Sequence, residues 1–170
     1  MKKISFLALL LLLVSSAAHA QDYYLELDGI PGESSDAQHQ NWIDILSFEH
    51  GIENPADGGA AGRAAGRPLF KDFHICKEID KSTTPIQEAD RRETVIENAK
   101  FEVVKNGRVI LRYEFSKVRL KDYYIKGEKG EMPRDCVSLG FEKIKVTHIS
   151  YGVNGAPTET VFEWDVESGN

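Results

Sequence analysis

Residues 24–48 read YLELDGIPGESSDAQHQNWIDILSF. Two apolar runs with strand character, YLEL and WIDILSF, flank a polar segment holding Glu33, Ser34, Ser35, Asp36 and His39. The fold turns on how that segment is read: as a loop carrying a serine, an acid and a histidine for catalysis, or as a connection that shapes the chain. A nucleophile elbow needs G-x-S-x-G on a strand-to-helix turn, and GESSD is not that pattern. Four polar residues packed into one loop also lack the separately supported geometry of a triad. Ser34 and His39 are therefore not assigned to catalysis; Asp36 reads as a turn cap and His39 as facing solvent.

Upstream, Lys2 and Lys3 precede an unbroken apolar run from Ile4 to Val14, and Ala18-His19-Ala20 follows as an A-x-A cleavage signal. The run is shorter than the roughly 20 residues of a membrane-spanning helix, so residues 1–20 read as a signal peptide and the mature domain as 21–170. No cysteine follows the cleavage signal to take a lipid anchor. The product is expected to be exported, periplasmic or secreted, with no membrane association once the leader is gone. Its acidic balance, with 27 Asp and Glu against 21 Lys and Arg, argues against binding nucleic acid.

Downstream, apolar residues mostly alternate, the two-residue period of half-buried strands. Tyr23, Leu25 and Leu27 oppose Tyr24 and Glu26; Leu111, Tyr113 and Phe115 oppose Arg112 and Glu114. CVSLGFEKIKV, carrying Val137, Leu139 and Phe141, and TVFEWDV, carrying Thr160, Phe162, Trp164 and Val166, repeat the pattern. Asn106-Gly107 predicts a tight hairpin and Asn154-Gly155 a second turn, with a longer loop over Gly127 to Arg134. STTPIQEADRRE predicts the one helix, from Pro85 to Glu93, with Thr84 as N-cap, Pro85 at the first helical position and Gln87 completing a capping box. Only Ile86, Ala89 and Val95 give it an apolar face, which places it outside a sheet. NPADGGAAGRAAGRP, Asn54 to Pro68, reads as an extended loop.

No other chemistry assembles from spacing. His50, His74 and His148 make neither an i, i+4 pair nor a Cys-His zinc spacing, and read as structural. DGIPGESSD lacks the EF-hand ligand order, and GGAAGRAAGR lacks the lysine ending of a P-loop. Trp42 and Trp164 read as core or interface anchors. No cofactor and no metal site is implied. Cys76 and Cys136 leave three possibilities open: a bond within the chain, two free thiols, or a bond between subunits.

The opening stretch also resembles the N-terminal signature of the haemolysin-coregulated protein (Hcp) family, the tube proteins of type VI secretion, roughly Y-L-x-[IL]-D-G-I-x-G-E-S-x-D-x-x-H-x-x-W-I-x-[VI]-L-S. Tyr24, Leu25, Leu27, Asp28, Gly29, Ile30, Gly32, Glu33, Ser34, Asp36, His39, Trp42, Ile43, Leu46 and Ser47 fill it without a gap. KDFHICKEIDKSTTP, CVSLGFEKIKV and EWDVESG are similar to later family segments in the same order. Agreement is weakest from Gln87 to Val104, where the family has an apolar, Ala-rich helix.

The resemblance implies a mainly β chain, a compact β-barrel of two sheets with one short helix packed outside. It implies a homohexameric ring, rings stacked into a tube, other type VI components and effector proteins as partners, and no enzymatic activity. Glu33, Asp36, His39, Arg63 and Arg67 become candidates for contacts between subunits or rings. The leader is the chief departure, because tube subunits of the family are normally made without one. It leaves three readings: a specialised exported paralogue, a tube subunit whose leader is not processed, or an Hcp-like domain adapted to another binding task. A monomeric periplasmic or extracellular β-barrel binding module is the alternative function, and a hydrolase around Ser34 and His39 the third.

Overall fold

The computed structural model describes residues 21–54 and 68–169. The proposed leader and most of the Gly-rich segment, with Arg63 and Arg67, fall outside the described residues.

The described chain is mainly β with one short helix. In order it forms β1 (Gln21–Leu27), β2 (Ile43–Ile45), β3 (Ser47–Glu49), β4 (Ile52–Glu53), β5 (Leu69–Phe70) and β6 (Phe73–Glu78). Then come α1 (Thr83–Arg91), β7 (Val95–Lys105), β8 (Arg108–Lys126), β9 (Arg134–Gly140), β10 (Lys143–Tyr151) and β11 (Pro157–Asp165). All pairings are antiparallel. β4 and β5 make a small separate ribbon, and the other nine strands make one sheet whose main path is β2-β1-β7-β8-β9-β6-β3.

The two ends of that path are two halves of one segment. WIDILSF reads in the sequence as a single strand, but the chain changes partners at Leu46, which is 44% exposed. Ile43–Ile45 pairs with β1, and Ser47–Glu49 pairs with β6. Among the described residues no hydrogen-bonded ladder closes the sheet. The covalent chain through Leu46 does, so the strands surround a single core.

β8 is long enough to serve two layers. Leu111 to Ser116 pairs with β10, and Arg119 to Lys126 pairs with β9. Positive φ occurs at Lys117 (55°), between the two parts, and at Asp122 (54°), where the register on β9 shifts between Lys121 and Tyr124, the local signature of bulges that re-aim a strand. CVSLGFEKIKV is accordingly not one strand but β9 and β10 separated by the turn at Phe141 and Glu142. The hairpin at Asn106-Gly107 forms as its sequence demands, with φ of 54° and 70° and Lys105 paired to Arg108.

Inward-facing residues meet in an aromatic centre. Phe73 and Phe101 are fully buried, and Phe115 is nearly so. The Phe73 ring lies 4.9 Å from Phe101 and 5.0 Å from both Tyr113 and Phe115, at tilted orientations that suit ring quadrupoles.

His50 sits at the edge of this centre, near Phe70, Phe73, Tyr113 and Phe141. Its Nε2 is buried with no hydrogen-bond partner, and burial pushes the ring below its usual value of 6.5. A base whose folded value is depressed contributes stability above its unfolded value and loses it as pH falls. Replacing it, His50→Phe, is expected to flatten the loss of stability below about pH 6.5, read as urea midpoints across pH; an unchanged slope overturns this.

The helix begins two residues earlier than its sequence signals indicate. Ser82, not Thr84, is the N-cap, and its side chain makes no cap hydrogen bond. Asp80 takes over: its Oδ1 accepts from Ser82 N at 2.9 Å and Ser82 Oγ at 2.5 Å, while Thr83 Oγ1 accepts from Asp80 N at 3.1 Å. Pro85 then falls in the first turn, where no intrahelical donor is needed; Ile86 N is the donor to Ser82 O. Ile86 and Ala89 are buried against β8, so the helix lies on the outside of the sheet.

Candidate subunit-contact site

Residues 28–42 fold into a compact loop held by its own backbone. Gly32 N donates to Asn41 O (2.7 Å), Ser34 N to Trp42 O (3.0 Å), and Asn41 N to Ser34 O (2.9 Å). The two limbs are so close that a Cβ on Gly32 would lie 2.2 Å from Trp42 O. Glycine at that position is a steric requirement.

Asp36 caps the turn, as its side-chain chemistry predicts. Its Oδ1 accepts from Gln38 N at 2.9 Å, His39 N at 3.0 Å and the His39 ring at 2.6 Å. The His39 bond, then that from Gln38, holds the Asp36 carboxyl below its usual range.

His39 is the main correction to the sequence reading. It does not face solvent: it is 2% exposed and belongs to the subunit interior, so its side chain is no contact surface. Nδ1 faces Asp36, while Nε2 lies 2.8 Å from Glu102 Oε2 on β7. Glu102 Oε1 in turn accepts from Arg112 Nε at 2.5 Å on β8. The His39 ring stacks on Tyr24 at 4.1 Å and meets the Trp42 edge at 4.9 Å. Burial, then the Asp36 carboxylate, push the Tyr24 phenol up to about 12. One ring thus joins the loop to β1 and β7, and through Glu102 to β8. The physical cause of the misreading is distance in sequence, since Glu102 stands 63 positions from His39.

The same geometry directs His39 to partners other than Ser34. Both His39 ring nitrogens are engaged by carboxylates, and the Ser34 hydroxyl accepts from Asp36 N and hydrogen-bonds Asp44. The loop is pinned. His39→Ala is expected to cost about 2 kcal/mol, the usual penalty for orphaning a buried acceptor, with Glu102 still partly served by Arg112. Urea unfolding measures it, and a loss below 0.5 kcal/mol, roughly the noise of such comparisons, counts against the pin.

What the pin presents outward is Glu33 and half-exposed Asp36. Glu33 Oε1 accepts from Lys81 N at 3.0 Å, tying the loop to the residues before α1. Trp42 is half-buried, with Lys100 Nζ 5.5 Å from its ring centre, and Trp164 packs on Phe70 at 5.6 Å.

Beside the loop, Glu26, Lys100, Glu114, Lys145 and Glu163 form one row across β1, β7, β8, β10 and β11. Signs alternate along it, with Lys100 Nζ 3.4 Å from Glu26 and Lys145 Nζ 3.2 Å from Glu114. The row borders a trough of about 470 Å³. Exposed pairs like these add little stability, but they cancel the local field and leave that face unsuited to a polyanion.

Cys76 and Cys136, left open by the sequence, are joined to each other across β6 and β9, with their Cα atoms 4.2 Å apart.

The model of the family described as "Type VI secretion system effector, Hcp" matches residues 24–148. No individually curated protein matches the chain. Among solved structures, a type six secretion system protein superposes with a TM-score of 0.82 at 21% identity, over 89% of this chain and 99% of that one. Hcp1 from Salmonella typhimurium gives 0.75 at 23% identity, over 88% and 97%. A type VI secretion system effector from Yersinia pestis gives 0.70 at 21% identity, over 84% and 100%. These likenesses speak to the fold, and the family match speaks to kinship: the chain belongs to the Hcp family and is a component of type VI secretion.

Proposed function

We propose that this chain is a ring-forming structural subunit, a homohexamer able to stack on further rings, and that it acts by assembly with other type VI components and effector proteins, without enzymatic activity of its own. The observation that carries the reading is the pinned loop. Its buried histidine, capping aspartate and obligatory glycine make the loop rigid, which holds exposed Glu33 and half-exposed Asp36 as a fixed acidic edge. Arg63 and Arg67, in the segment that lies outside the described residues, supply the opposite charge in this reading.

Export is part of the proposal. The A-x-A signal at Ala18-His19-Ala20 directly precedes Gln21, whose pairing with Lys105 opens the β1–β7 ladder. The periplasm or the exterior is then its place, and an oxidising compartment agrees with the Cys76–Cys136 bond.

Light scattering on the purified protein, with N-terminal sequencing, tests both halves. A hexamer mass and a start near Gln21 are expected. A monomer mass at high concentration turns the reading into a monomeric binding module, and an intact leader removes the export half. For the edge itself, Glu33→Lys is expected to abolish ring stacking seen by electron microscopy while leaving the single-subunit fold intact; unchanged stacks remove Glu33 from the contact.

A further inference from the structure

On the outer face of the sheet, β6 and β9 set four residues in a square. His74 is paired with Ser138, and Cys76 with Cys136. Their neighbours Phe73, Ile75, Val137 and Leu139 point into the core, so the square looks the other way. His74 Nδ1 lies 3.2 Å from Ser138 Oγ, and His74 Nε2 lies 3.7 Å from Cys76 Sγ. With Nδ1 engaged by the serine, Nε2 is the nitrogen turned towards the sulfurs. All three donor atoms, Nε2 and both Sγ, fall within 4.8 Å of one another.

We propose that, once the Cys76–Cys136 bond is reduced, His74, Cys76 and Cys136 bind one zinc ion. Three donors drawn from imidazole and thiolate match a tetrahedral zinc site that keeps one position open. Zinc needs its ligands about 2.0–2.3 Å away, which spreads the two sulfurs to somewhat under 4 Å, a change within reach of side-chain rotation on strands already paired. The hydrogen bond to Ser138 is the outer contact that fixes a zinc-binding imidazole. The open position faces a cavity of about 290 Å³ bordered by Leu46, Tyr124, Glu131 and Arg134, which admits water as the fourth ligand. Tyr124 roofs the histidine, its ring stacked at 6.3 Å.

The chemistry balances. Two molecules of an external thiol are oxidised to one disulfide, while Cys76 and Cys136 take up two electrons and two protons as thiols. Zinc then displaces those two protons and binds two thiolates. The bond and the metal are mutually exclusive, so the two cysteines are cross-linked in an oxidising compartment and, with His74, ligating in a reducing one.

The test uses the purified protein with zinc chloride and a chromogenic chelator as competitor. Reduction is by a phosphine, which becomes its oxide with oxygen from water and does not itself compete for zinc as a thiol would. Reduced protein is expected to hold one zinc per chain and oxidised protein none. Cobalt(II) in place of zinc should give the intense visible bands of tetrahedral coordination with a thiolate charge-transfer band. His74→Ala, which still forms the disulfide, should lose the tight site, and Ser138→Ala should weaken it by about 10-fold. Equal zinc binding by the oxidised protein, or by reduced His74→Ala, overturns the proposal. So does a reduced protein that binds no zinc, whether it stays folded or unfolds and fails to recover its β-sheet circular dichroism when zinc is added.

Discussion

Lys77→Met is expected to destabilise the protein by about 3–5 kcal/mol, the usual cost of breaking a buried ion pair by removing one partner. Lys77 is 1% exposed, on the same side of β6 as Phe73 and Ile75. Its ammonium lies 2.7 Å from Asp80 Oδ1 and 3.1 Å from Asp135 Oδ1, and donates to Thr83 Oγ1 at 3.0 Å and Glu78 O at 3.1 Å. Asp135 is as buried as the lysine, with the Tyr123 hydroxyl donating to its Oδ2 at 3.2 Å. Burial, then the Asp135 charge, push the Tyr123 phenol well above its ordinary range. Without Lys77, Asp135 is a charge in the protein interior with one neutral donor. Adding Asp135→Asn removes the stranded charge and should recover a large part of the loss. Urea unfolding of the single and double variants measures both, and a single-variant cost under 1 kcal/mol refutes the assignment. The cluster also sets an acid limit. Burial pushes the Asp80 carboxyl up, but hydrogen bonds from Lys77 and Ser82 more than reverse this and leave it lowered. A depressed carboxylate stabilises above its unfolded value and ceases to as pH falls through its folded one. The wild type should therefore lose stability below about pH 4, where the Asp carboxyl ordinarily titrates, more steeply than Lys77→Met does.

Removing the disulfide, by Cys76→Ala with Cys136→Ala, is expected to cost about 4 kcal/mol. The bond spans a sequence separation of 60, and the chain-entropy relation gives that figure for a loop of such length. Both cysteines lie on strands that remain paired without the bond, from Phe73↔Leu139 to Glu78↔Arg134. The variant should thus keep its circular dichroism and lose only its resistance to urea. A loss below 1 kcal/mol would mean that the ladder alone already restrains this region in the unfolded chain.

The sequence was most legible where local chemistry decides. The Asn106-Gly107 hairpin, the alternating strands and the Asp36 cap each follow from a few adjacent residues. It was least legible where partners come from afar. Nothing near His39 announces Glu102, and nothing near Lys77 announces Asp135. The helix start was misplaced because Thr84 and Pro85 give strong local signals, while Asp80 outcompetes them with three acceptor contacts upstream. WIDILSF hides its division at Leu46 because alternation is the same whichever neighbour a strand takes. Neither cysteine carries a sign of its partner; the register of β6 on β9 supplies it.

The division at Leu46 also dictates an order of events during synthesis. β1 sits between β2 and β7, and its long partner ends at Lys105. A nascent chain therefore has only the three-residue ladder with Ile43–Ile45 to hold its first strand until Ala99 to Lys105, which pair with Leu27 to Gln21, have left the ribosome. So sparse a local contact cannot repay the entropy of ordering. The first strand of the described fold therefore waits for β7 before it gains its full complement of partners.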